Sequence, residues 1–217
     1  MNNPTSNAQP QNVIVFGATG TTGSAVVERA LELGYNVTAF VRTPSKVTIK
    51  HDNLSIFKGD VLDPASVEQA VMDHDVVISA LGAGLNGTVR SEGTLNIIRA
   101  MEKANVRRFI SQSSLGVGDS RANLNFYWKY IMFGMLLRKA YADHGKQEQY
   151  IRESSLDWTI VRPGALKEGP LTNTYRQGFG PAVRDITLEI SIADTADFMV
   201  RQIDDTTYLS GTPALSY

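Results

Sequence analysis

The chain has 217 residues, a formal net charge of -1 and no cysteine. That length suits one domain with a sizeable core, and the near-neutral balance argues against a broad nucleic-acid or anionic-membrane surface. The absence of cysteine excludes disulfides, thiolate catalysis and cysteine-ligated metals, and it fits a reducing, cytoplasmic setting.

Residues 1–11 are rich in Asn, Pro, Ser, Thr and Gln and lack the pattern of a signal peptide, so they read as a disordered tail. No apolar run reaches the ~20 residues of a membrane span. Apolar runs then predict strands at Asn12–Phe16, Asn36–Val41, Leu54–Lys58, Val76–Ala80, Arg107–Gln112 and Trp158–Arg162. Helical patterns predict helices at Thr22–Leu33, Pro64–Val71, Arg90–Lys103, within Asn125–Glu153 and at Ile192–Ile203. The last opens on a capping box, Ser191 to Asp194. This alternation predicts an α/β fold: a single Rossmann-like, doubly wound parallel sheet over residues 12–217. Residues 165–217 read as a small C-terminal cap on the substrate side.

The first strand runs into Gly17, Gly20 and Gly23. Gly17 permits the tight turn, Gly20 lets the backbone approach a pyrophosphate, and Gly23 lets the helix pack closely on the sheet. Amides at the helix start then face the phosphates, and Thr19, Thr21 and Thr22 add hydroxyl donors. Between a strand and a helix, this pattern predicts a dinucleotide site; without that setting it is only a glycine turn.

The second strand ends at Val41-Arg42, with Lys46 four residues further on. An NAD site usually has a carboxylate there, which would repel a 2′-phosphate. Arg42 can fork onto such a phosphate and Lys46 can add charge, so the cofactor is expected to be NADP(H). The alternative is a solvated surface pair. After the third strand, Asp60 and Val61 either meet the adenine or form a turn before a helix. After the fourth, Ala80-Leu81-Gly82-Ala83-Gly84 leaves room for the cofactor ribose.

Ser113 and Ser114 end the fifth strand. A hydroxyl there can donate to a group gaining charge, or both can satisfy local turns. His144 and Glu148 lie four apart. His144 is a candidate proton donor, against the alternative of a surface ion pair with Glu148. His51, His74 and His144 show no metal-ligand spacing, so no metal is expected. The run Phe126–Leu137 reads as an aromatic wall over the nicotinamide, a buried helix, or a dimer or membrane-surface helix.

Together, Gly17-Ala18-Thr19-Gly20, Val41-Arg42, Gly59-Asp60-Val61, Ser91-Glu92-Gly93-Thr94 and Thr159–Gly164 resemble the atypical, NmrA-like branch of the short-chain dehydrogenase/reductase superfamily. Pro170-Leu171-Thr172 and Arg152-Glu153-Ser154 are similar to the biliverdin-IXβ reductase/flavin reductase group. The resemblance implies NADPH along the carboxyl edge of the sheet, with Pro163, Gly164 and Ala165 beside it and Ser114 at the substrate. It also implies hydride transfer to a flavin, quinone or other flat conjugated acceptor. Two departures stand out. The superfamily's Tyr-x-x-x-Lys pair is absent, and Ala165 stands where that group tends to carry histidine. The alternatives are a non-catalytic NADP(H)-sensing protein and an epimerase, the latter disfavoured by the missing tyrosine. A monomer or homodimer is expected, with a small-molecule substrate and no nucleic acid.

Overall fold

The computed structural model describes residues 11–82 and 87–217. The predicted tail, apart from Gln11, lies outside these residues, as do Ala83 and Gly84. In chain order the elements are β1 (Asn12–Phe16), α1 (Thr21–Glu32), β2 (Asn36–Val41), β3 (Leu54–Lys58), α2 (Pro64–Val71), β4 (Val76–Ser79), α3 (Val89–Ala104) and β5 (Arg108–Gln112). A π-helical segment (Tyr127–Leu136) leads into α4 (Arg138–Glu153) and β6 (Asp157–Pro163). Four short strands and a helix complete the chain: β7 (Ala165–Lys167), β8 (Arg176–Gln177), β9 (Glu189–Ser191), α5 (Ile192–Arg201) and β10 (Ala214–Ser216).

The main sheet runs β3-β2-β1-β4-β5-β6-β10-β8, with every pair parallel except β10 with β8. Strand order reverses between β1 and β4, which opens a crevice at their carboxyl ends. Both faces are covered. In β1, Val13 and Val15 pack against Val26, Val27 and Ala30 of α1, with Phe198 and Met199 of α5 in the same cluster. Ile14 and Phe16 join the opposite cluster with Val67 of α2, Ile97 and Met101 of α3 and Ile151 of α4. Burial on both faces explains why the strand is a continuous apolar run rather than an alternating one.

The six predicted strands and five helical regions are present, with ends shifted by one or two residues. Asp63 caps α2 by accepting from the Ala65 amide, and Ser191 caps α5 by accepting from the Asp194 amide at 2.9 Å. The reading of residues 165–217 as a cap needs correction. Strand β10 is buried inside the main sheet beside β6, and α5 packs on α1. From this region, Ala165 and Leu166 of β7 and Leu188 before β9 line a cavity beyond the carboxyl ends of β5 and β6. The buried Asp197 of α5 accepts from Arg29 of α1 at 2.8 Å and from Arg201 at 2.7 Å.

Residues 165–217 are therefore expected to unfold with the rest. Urea denaturation should show one transition, and Asp197→Ala should lower its free energy by about 2 kcal/mol. A separate transition for the C-terminal quarter would contradict this.

Candidate functional site

The cradle at the end of β1 is set by contacts too close for a side chain. Gly17 has φ +82°, and a Cβ there would lie 2.4 Å from the Ala80 carbonyl oxygen. A Cβ on Gly23 would lie 2.1 Å from the Gly17 carbonyl oxygen, so α1 rests directly on the turn that precedes it. Gly20 is the N-cap of α1 and offers no side-chain cap. The first intrahelical bond runs from the Ser24 amide to Gly20, which leaves the amides of Thr21, Thr22 and Gly23 without helical partners. The first turn contains no acidic residue. Bare amides, a positive helix end and a glycine floor fit the pyrophosphate of a dinucleotide.

A cavity beside this cradle runs along the carboxyl ends of β1 to β4. It is lined by Gly17, Thr19, Gly20, Arg42, Asp60, Val61, Ala80, Leu81 and Gly82, all nine of them predicted cofactor residues. Arg42 is exposed and forms no ion pair among the described residues. Asp60 spends one oxygen on the turn, accepting from the Leu62 amide at 3.0 Å, while its side chain still borders the cavity. Asn96 donates to the Val61 carbonyl at 2.9 Å and fixes this wall. Thr21, Thr22, Gly23 and Lys46 do not line the cavity. Thr22 is buried under the helix start, and Lys46 ends the short 3-10 turn Pro44–Lys46 in an exposed position.

A second cavity lies off β5 and β6. Ser113, Ser114, His144, Pro163, Gly164 and Ala165 line it. Leu124, Trp128, Phe133, Leu137 and Leu188 give it an apolar, partly aromatic wall. The Ser113 and Leu115 amides donate to the Val161 and Pro163 carbonyls of β6 at 2.7 and 2.8 Å, which holds Ser114 between two anchors. The paired serines have different surroundings. Ser113 donates to the buried Glu148 carboxylate at 2.7 Å. Among the described residues, the Ser114 hydroxyl makes only a long bond, 3.3 Å, to the Leu115 carbonyl. Gly164 is spaced by the chain itself, since a Cβ there would lie 2.6 Å from the Leu188 carbonyl oxygen.

The predicted surface pair of His144 and Glu148 does not form. Glu148 is buried and takes a forked bond from Arg162, Nε at 2.9 Å and Nη2 at 2.6 Å. Arg162 also donates to Asp119 at 2.6 Å and is itself 1 % exposed. Periodicity gave no hint of this, because a cation near the end of an apolar strand reads as the strand's exposed edge. His144 is held down at about pKa 4 by burial and by the nearby Arg90 cation. Its Nδ1 lies 3.2 Å from Gln147 Oε1, whose amide nitrogen donates to Ser111. That network assigns the proton to Nδ1 and leaves Nε2 an acceptor. At neutral pH His144 is thus an uncharged imidazole.

Arg90 is a cavity residue that the sequence reading did not select. It opens α3, where a helix dipole disfavours a cation, and that misplacement was the available signal. It lies 3.6 Å from Asp143 Oδ2, beyond hydrogen-bonding distance, and Asp143 Oδ1 accepts from the Ser91 amide. Among the described residues no group of three or more His, Asp or Glu could hold a metal.

Comparison with known proteins matches residues 17–206 to a family described as NAD(P)H-binding. An uncharacterized chloroplastic protein of Arabidopsis thaliana is 35% identical over 203 residues, covering 84% of this chain and 71% of that protein. Among solved structures, ChuY, an anaerobillin reductase from Escherichia coli O157:H7, superposes with a TM-score of 0.78 at 25% identity, over 94% of this chain and 96% of that one. A short-chain dehydrogenase/reductase from Veillonella parvula in complex with NADP shares the fold, with a TM-score of 0.79 at 18% identity over 96% of this chain and 95% of that one.

Two outcomes follow from the buried groups. Glu148→Ala leaves the buried Arg162 cation with Asp119 alone among the described carboxylates and should cost about 3 kcal/mol in urea unfolding. Glu148→Ala combined with Arg162→Met should recover much of that loss. For His144, the unfolded chain takes a proton below pH 6.5 that the folded chain refuses until about pH 4. Its contribution to stability is therefore lost as pH falls from 6.5 towards 4. Between pH 7 and pH 5 the unfolding midpoint of His144→Asn should drop less than that of the parent. Equal drops would contradict the burial argument.

Proposed function

Since the chain belongs to the NAD(P)H-binding family, in the atypical branch of the short-chain dehydrogenase/reductase superfamily, we propose that it is an NADPH-dependent reductase of a flat conjugated acceptor, a flavin or a quinone. The observation that carries this reading is the second cavity. It places a loosely bonded serine, Ser114, against an apolar wall built from Trp128, Phe133 and Leu137. When bound, NADPH supplies a hydride from C4 of its nicotinamide.

The cradle amides of Thr21, Thr22 and Gly23 hold the pyrophosphate, and Arg42 takes the 2′-phosphate. Ser114 donates to the carbonyl or ring nitrogen of the acceptor where negative charge develops. Trp128 and Phe133, whose rings lie 5.8 Å apart, exclude water and align a planar ring system. Ser113, committed to Glu148, positions the strand end and does not touch the reacting atoms. The acceptor takes its proton from solvent, since His144 is uncharged with Nε2 as an acceptor. Flavins and quinones tolerate this, whereas an alcohol or ketone couple needs a placed acid. Ala165 removes the side chain that the biliverdin reductase group tends to use, which favours a flavin or quinone over biliverdin.

A second reading is a non-catalytic NADP(H) sensor, and the missing Tyr-x-x-x-Lys pair and Ala165 favour it. Titration with NADPH and NADH, followed by turnover with FMN, a quinone series and biliverdin, separates the two. The reductase reading expects NADPH oxidation by a flavin or quinone. Tight NADPH binding with no turnover on any acceptor would replace it with the sensor.

Two variants sharpen the test. Arg42→Asp should weaken NADPH binding roughly 30-fold, about 2 kcal/mol, and leave NADH within a few-fold. Equal loss for both cofactors would reject the 2′-phosphate assignment. Ser114→Ala should lower kcat about 10- to 100-fold with cofactor affinity unchanged, as measured by stopped-flow absorbance. An unchanged kcat would remove Ser114 from the chemistry.

A further inference from the structure

We propose that the segment Asn125–Lys139 is a docking surface for an anionic lipid leaflet. The inference does not depend on the reductase reading. The segment contains Lys129, Arg138 and Lys139 and no carboxylate. The segment therefore carries three positive charges on a chain whose net charge is -1, so the overall balance conceals it.

Its apolar side chains do not behave as a core helix. No residue of Tyr127–Leu136 is buried. Phe126 is 72% exposed, Met135 74% and Leu136 63%, and Tyr127, Tyr130 and Ile131 are also exposed. These six make up nearly half of the exposed large hydrophobics among the described residues. An uncovered apolar run of this kind marks an interaction surface. Trp128 and Phe133 turn inwards to line the second cavity, so one segment has both a pocket side and a bare side.

The cations point to lipid as the occupant. Arg138 and Lys139 form the first turn of α4, which has no side-chain cap and no acidic residue. Both side chains are exposed and form no ion pair among the described residues, so they are open to an anionic partner. Arg121 adds a further cation, stacked 5.8 Å over the Tyr141 ring, which in turn lies 5.3 Å from Phe133. Aromatic and long aliphatic side chains flanked by basic residues are the composition of an in-plane membrane anchor. No described helix is long and apolar enough to cross a bilayer, so the mode is surface attachment. A two-fold dimer through this face would bring the same three cations together with no carboxylate in the segment to answer them.

The test is co-sedimentation of the purified chain with phosphatidylcholine vesicles and with vesicles containing about 30% phosphatidylglycerol. The expected result is binding to the phosphatidylglycerol vesicles and little to the neutral ones, weakened by salt at about 0.5 M. The triple variant Lys129→Glu, Arg138→Glu, Lys139→Glu should lose about tenfold or more in binding, as should Phe126→Ser, Met135→Ser, Leu136→Ser. Unchanged far-UV circular dichroism and thermal melting show that these variants are folded. Three results would overturn the proposal: equal binding to both vesicle types, folded variants that bind as the parent does, or a homodimer in light scattering that Leu136→Ser dissociates.

Discussion

Helix α1 sits on the turn that feeds it with no room for a single carbon at Gly23. That contact fixes the start of α1, and the start of α1 fixes what the molecule can hold. A side chain at Gly23 would lift the helix from Gly17, and one at Gly17 would drive the turn from Ala80. Either shift would move the three open amides away from the crevice between β1 and β4. The other edges of the first cavity, Arg42, Asp60 and Val61, follow neighbouring parallel strands. They inherit their positions from the same sheet register, so the close approach at β1 sets the scale of this half of the crevice.

The far half of the crevice is held differently. There the organising group is Arg162, buried in β6 and answered by Glu148 from α4 and Asp119 from the loop after β5. A buried ion pair contributes little to net stability, since desolvation offsets most of the attraction. Its use here is positional. It ties α4 to β6 and engages Ser113, which leaves Ser114 as the hydroxyl of the pair that has only a long local bond. The same helix carries His144 and Asp143 towards Arg90, so the second cavity contains one cation, one uncharged imidazole and an apolar wall. The cradle is rich in backbone donors, while this cavity is poor in them. That contrast suits an anionic cofactor beside a flat, weakly polar acceptor.

Much of this was legible in the sequence because backbone rules dominate the nucleotide side. Strands buried on both faces appear as continuous apolar runs, and a glycine needed for close approach appears as a fixed spacing. The strand β1, the turn at Gly17 and the position of Arg42 were readable for those reasons. The far side was less legible because its geometry comes from contacts between distant segments. Glu148 meets Arg162 across fourteen residues and a change of element, and neither residue's local pattern announces it. Strand β10 was missed because a three-residue strand carries too little pattern, although its burial in the sheet is complete. The aromatic run was seen, with an exposed face left open as one alternative beside a cavity wall and a buried helix. Composition alone cannot say whether an apolar helix faces a core or the outside.

The central claim is that one continuous edge of the sheet presents the nicotinamide of NADP(H) to the Ser114 cavity. A crystal structure of the chain with NADP+ tests this most directly. The account predicts the pyrophosphate on the amides of Thr21, Thr22 and Gly23, the 2′-phosphate on Arg42, and the nicotinamide between Ser114 and the Pro163–Ala165 turn. A nucleotide bound elsewhere, or a nicotinamide turned away from Ser114, would contradict it.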